Sequence, residues 1–111
     1  MKKIALLWIF SVIFFAGCAQ QTPPQNLDTF AQCLTTKWVT MYGSVTCSHC
    51  LNQKETFGKS FQYITYVECT KEPERCSALK WVPTWEMPGA IYLEGEQTLS
   101  ALAKASDCPL E

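Results

Sequence analysis

The sequence has no basic stripe, no internal repeat, no mark of a second domain and no apolar run long enough to cross a bilayer. Without a basic stripe nothing suggests a nucleic-acid partner. The run Ile4 to Phe15, broken only by Ser11, falls short of the about 20 residues a spanning helix needs. Nothing later in the chain suggests an integral membrane domain. Histidine is scarce too, since His49 is the sole one. Cysteine is the opposite case, with seven in 111 residues.

The chain begins with a short basic segment, Met1-Lys2-Lys3, followed by that apolar run and the small pair Ala16-Gly17. This is the pattern of an export signal rather than of a folded element. Phe15-Ala16-Gly17-Cys18 resembles a bacterial lipobox, in which the cysteine is lipidated and becomes the new N-terminus. Phe15 stands where leucine is usual. The alternatives are an ordinary signal peptide or an uncleaved anchor. Residues 1–17 are therefore expected to be a signal peptide, with Cys18 lipidated and the domain on the periplasmic side of the envelope. Ala19 is not the aspartate that retains lipoproteins at the inner membrane, so a Gram-negative host is expected to send the protein to the outer membrane.

Export changes how the other cysteines read. An oxidising compartment favours disulfides over free thiols. With Cys18 lipidated, an even set remains: Cys33, Cys47, Cys50, Cys69, Cys76 and Cys108. Six cysteines allow many connectivities, and spacing alone selects none. Loss of Lys2 and Lys3 moves the formal charge from −1 to about −3. The chain beyond Gly17 is long enough for one small domain with one core, expected to be a monomer.

Residues 18–26 are polar and carry Pro23-Pro24, which reads as a tether. The domain is expected over 27–111. Asp28 is expected to cap a helix through about Leu34. Trp38 to Tyr42, rich in β-formers, predicts a buried strand, and a helix follows from about Cys47 to Phe57. Phe61 to Cys69 predicts a second strand, and Cys76 to Lys80 a short helix. Val82 to Met87 is expected to be extended and to turn at Pro88-Gly89 into Ala90 to Leu93. Thr98 to Ala105 predicts an amphipathic closing helix, with Leu99, Leu102 and Ala103 inward. The crossover helix implies a parallel first pair, and the final two strands an antiparallel hairpin. The fold class is α/β, a mixed four-stranded sheet flanked by helices.

Cys47-Ser48-His49-Cys50 carries the chemistry. Two thiols at this spacing, at a helix start, can close a disulfide and reopen it: one sulfur attacks a partner and the other releases it. Cys-x-x-Cys after the first strand and Val82-Pro83-Thr84 before the hairpin follow the order of a thioredoxin fold. The resemblance is closer to the thioredoxin-like domain of bacterial and plant vitamin K epoxide reductase homologues. Met41-Tyr42-Gly43, Gln53-Lys54, Phe57-Gly58, Tyr66-Val67-Glu68-Cys69 and Val82-Pro83-Thr84-Trp85 carry it together with the cysteine motif. That family's membrane bundle is not expected in this protein, where the lipid on Cys18 would take its place.

The resemblance implies a role for each residue. Cys47 would be the exposed nucleophile, favoured as thiolate by the free N–H groups of the helix start. Cys50 would resolve the mixed disulfide, and His49 would tune the pair. Pro83 would be a cis-proline lying against the disulfide. The backbone of Val82 would pair with a bound substrate as an added strand. Cys69–Cys76 and Cys33–Cys108 would be structural disulfides. Two departures stand out: Thr46 replaces the usual aromatic before the first cysteine, and Met41 replaces the buried carboxylate of thioredoxin. Without that base, release through Cys50 is expected to be slow, which suits an oxidant.

The expected activity is extracytoplasmic thiol–disulfide exchange with cysteine-containing exported proteins, with no cofactor beyond the redox-active disulfide. A membrane partner such as a vitamin K epoxide reductase homologue with its quinone would reoxidise it. The same site run in reverse would be a reductase or isomerase fed by a membrane thiol donor. Two alternatives come from other classes. Cys47, Cys50, Cys69 and Cys76 could hold zinc, although the second pair is too widely spaced for a ribbon. All the disulfides could also be inert staples, in which case His49 and Pro83 would be without purpose.

Overall fold

A computed structural model describes residues 26–110. The expected signal peptide, the lipidation site Cys18 and most of the tether lie outside the described residues. The elements run α1 (Asp28–Thr36), β1 (Thr40–Gly43), α2 (Ser48–Phe57), a 3₁₀ helix (Gly58–Tyr63), β2 (Thr65–Glu68), α3 (Pro73–Cys76), β3 (Thr84–Met87), β4 (Ile91–Glu94) and α4 (Leu99–Ser106). The strands form one mixed sheet in the order β2-β1-β3-β4. β1 and β2 are parallel, whereas β3 is antiparallel to both β1 and β4. This is the α/β architecture expected from the pattern, compatible with a thioredoxin-like fold.

Alternation along the strands divides the sheet into two faces. Met41 and Gly43 share one face with their partners Trp85, Tyr66 and Glu68. Met41 and Trp85 are wholly buried there, in a core completed by Phe30, Ala31 and Leu34 of α1, Phe57 of α2 and Leu102 of α4. Phe57 anchors this core, stacking on Phe30 at 6.1 Å and meeting Trp85 at 5.8 Å. On the opposite face Tyr42 and Thr84 lie beside Arg75 of α3 and the segment Ala78 to Lys80 that follows it.

Several boundaries differ from expectation, each for a local reason. Trp38 is not in β1. It adopts φ +66° in the turn that ends α1 and is 86% exposed. Asp28 does not cap α1. Leu27 holds the cap position, the Asp28 N–H is accepted by Asn26 Oδ1, and the Asp28 carboxylate accepts the Ser60 hydroxyl at 2.6 Å. The long strand expected over Phe61 to Cys69 is halved, because Gly58 at φ +55° turns the chain into the 3₁₀ helix. Phe61 there packs edge-on against both Phe57 and Tyr66. Tertiary packing thus overrides β propensity. The short helix begins at Pro73 and ends at Cys76, with proline at its first position.

Candidate active site

The site is built where β1 ends and α2 begins. After Gly43 the chain turns through Ser44, whose carbonyl accepts the Cys47 N–H at 3.1 Å. Cys47 caps α2 in an extended conformation, and its Sγ accepts the N–H of Cys50 at 3.3 Å. A sulfur thus takes the place of the oxygen that usually caps a helix. The two thiols are unbridged and differ in exposure: Cys47 is half-buried, while Cys50 has no exposed surface.

Burial pushes the Cys50 thiol up to about 12. Its hydrogen bond with Cys47 acts in the same direction, and a backbone hydrogen bond from Ser44 and the charge of Lys54 act against it. Burial and Cys47 together therefore favour the protonated thiol at Cys50. One sulfur can be reached from outside, and the other is kept protonated beneath it.

The Val82–Pro83 peptide bond is cis, and Pro83 is buried. The Val82 carbonyl oxygen accepts from Cys47 Sγ at 3.5 Å. β3 begins two residues later, and the Gly95 N–H donates to the Pro83 carbonyl at 2.7 Å. A groove of about 580 Å³ runs beside this contact, lined by His49, Trp81, Val82, Pro83, Glu94 and Glu96. Trp81 is 64% exposed and supplies apolar surface at its edge.

His49 lies next to the thiols in sequence, but its hydrogen bond runs elsewhere. Nδ1 meets Glu96 Oε1 at 2.6 Å, and the His49 side chain is 73% exposed. Glu96 belongs to the loop between β4 and α4, and Gln53 holds that loop. Gln53 Oε1 accepts from the Gln97 N–H at 2.7 Å and from Trp85 Nε1 at 3.0 Å, and its Nε2 donates to the Gln97 carbonyl. Nothing in the sequence spacing singles out Glu96, which is 47 positions from His49.

The other four cysteines among the described residues are paired. Cys33 is bonded to Cys108 and Cys69 to Cys76. The four-cysteine set considered for zinc is thereby divided, since Cys69 and Cys76 are joined to each other. Among the described residues, no group of three or more His, Cys, Asp and Glu could hold a metal ion.

No protein-family model matches the chain. It is 38% identical over 82 residues to the thiol-disulfide oxidoreductase LTO1 of Arabidopsis thaliana, an alignment that covers 64% of this chain. The matched part is 22% of that relative's length. The likeness, the sheet topology and the close pair of thiols together support a thioredoxin-like redox domain.

Proposed function

We propose that this protein is an exported thiol–disulfide oxidoreductase of the vitamin K epoxide reductase homologue type, held at the envelope by lipid on Cys18. Its Cys47–Cys50 disulfide would be passed to cysteine pairs of exported proteins. A substrate thiolate attacks Cys47 Sγ, the Cys47–Cys50 bond breaks, and Cys50 leaves and takes up a proton. A second substrate thiolate then attacks the substrate sulfur of the mixed disulfide. The substrate disulfide forms and Cys47 departs as thiolate. The pair has gained two electrons, which a quinone-linked membrane partner removes.

The observation that carries this reading is the unequal placement of the two sulfurs, with Cys47 at the helix cap facing the Val82 carbonyl and Cys50 sealed below. The groove beside Val82 and Pro83 favours an extended substrate strand laid against backbone. Met41 is buried on β1, so no carboxylate serves Cys50 from that strand.

Replacing Cys50 with Ala is expected to trap envelope proteins on Cys47 as mixed disulfides. If none accumulate, the enzymatic reading fails in favour of inert staples. The reduction potential of the pair decides direction. A potential near that of thioredoxin, about −270 mV, would make the protein a reductase fed by a membrane thiol donor.

A further inference from the structure

Cys50 must lose or gain a proton each time the pair opens or closes, and it has no direct route to water. The carboxylate that would serve it from β1 is replaced by Met41, wholly buried in the sheet. Met41 is in register with Tyr66 on β2, and Gly43 with Glu68. Parallel partners project to one side, so the Tyr66 and Glu68 side chains rise on the face that α2 covers.

Gly43 is the point where these groups meet. A Cβ placed on it would lie 3.2 Å from Cys50 Sγ and 3.1 Å from the Tyr66 hydroxyl. The missing side chain thus leaves the thiol and the phenol beside one common space. The Tyr66 hydroxyl donates to Glu68 Oε1 at 2.9 Å. Glu68 also accepts from the hydroxyl and the N–H of the exposed Thr70, which brings the chain of groups to the surface. Lys54 of α2 completes the cluster, its ammonium 4.0 Å from the centre of the Tyr66 ring.

We propose that Tyr66 and Glu68 form the proton route of Cys50, relaying its proton to solvent when Cys50 attacks and returning one when Cys50 leaves. This rests on reading Cys47 and Cys50 as the exchanging pair. In the resolving step the Cys50 sulfur bonds to the Cys47 sulfur and the bond from Cys47 to the partner breaks. The partner leaves as thiolate, and the Cys50 proton passes to the Tyr66 oxygen while the Tyr66 proton passes to Glu68 and on to water. The reverse step uses the same path in the other direction. The charges that bear on the route are those of Cys47, Lys54 and Glu68. Burial and the hydrogen bond to Glu68 raise the Tyr66 phenol well above its ordinary value, so it stays protonated and able to donate. Tyr66 acts through Cys50 and is a positioning and relay residue rather than a catalytic one.

The test uses the full chain with Cys47 and Cys50 reduced, mixed with the aromatic disulfide dithiobis(nitrobenzoate). Attack by Cys47 releases one coloured thiolate, and resolution by Cys50 releases the second. The aromatic thiolate leaves without a proton, so the proton transfer in the second phase is that of Cys50. Tyr66→Phe, which keeps the ring under Lys54, is expected to slow the second release about tenfold at neutral pH and leave the first unchanged. Its deficit should shrink as pH rises, because hydroxide that reaches Cys50 through local opening then competes with the relay for the proton. Glu68→Gln should slow the same phase, and it decides the matter should Tyr66→Phe not fold. A second phase that keeps the parent rate and pH profile in these variants overturns the relay. Failure of the parent protein to release the first thiolate overturns the exchange reading itself.

Discussion

Trp85 and Gln53 meet in the core, where the indole Nε1–H donates to the amide oxygen across 3.0 Å. Both side chains are buried, at 0% and 1% exposure. The same oxygen accepts from the Gln97 N–H, so one amide ties the central strand β3 to the loop that presents Glu96 to His49. Gln53 looks like an ordinary polar residue of a helix, yet it joins the core to the rim of the groove.

Gln53→Leu removes that acceptor without opening a large cavity. The indole and the Gln97 N–H are then left without a partner, at about 1–3 kcal/mol for each buried orphan. The expected outcome is a lower urea midpoint with an unchanged slope, together with loss of the ordered His49–Glu96 contact by NMR. A midpoint equal to the parent's would show that water or a rotated side chain replaces the amide.

Acid stability follows from Glu68. Burial raises its carboxyl, but hydrogen bonds from the Thr70 hydroxyl, the Thr70 N–H and the Tyr66 hydroxyl, with the charge of Lys54, outweigh this and hold it below its ordinary 4.5. A carboxyl lowered in the folded state stabilises the fold above its ordinary value, and that stabilisation is lost as pH falls through the lower folded value. Urea midpoints measured against pH should therefore fall less steeply in acid for Glu68→Gln than for the parent. Equal acid slopes would rule out this group as the source.

The two disulfides are expected to differ in their contribution. Cys33 and Cys108 are 75 positions apart, so their bond removes far more freedom from the unfolded chain than Cys69–Cys76, which closes a span of seven. Chain entropy predicts about 4.5 kcal/mol for the long loop and about 2.4 kcal/mol for the short one. Paired alanine variants and denaturant unfolding would measure the two. A larger loss from the short loop would mean that local distortion around α3 dominates.

Element order was legible because hydrophobic periodicity and turn residues record it. The β-formers of Trp38 to Tyr42 and the Pro88-Gly89 turn before the last strand needed no tertiary information. The 3₁₀ helix was not legible, because Phe61 reads as a strand former until Phe57 and Tyr66 are seen to surround it. The place of His49 between the two thiols suggests that it tunes them. Its hydrogen bond to Glu96 depends instead on a loop that Gln53 positions from another element.

The Cys47-Ser48-His49-Cys50 spacing alone determined that two sulfurs would share the first turn of a helix, since sequence neighbours stay neighbours in any helix. The tertiary structure decided what lies around them. It buried Cys50 and left Cys47 half-exposed, and it brought the Val82 carbonyl to 3.5 Å from Cys47 across 35 positions. It also placed the Tyr66 hydroxyl beside the space over Gly43 that borders Cys50. Such contacts depend on strand register and helix packing, which act between distant segments and leave no local pattern in the chain.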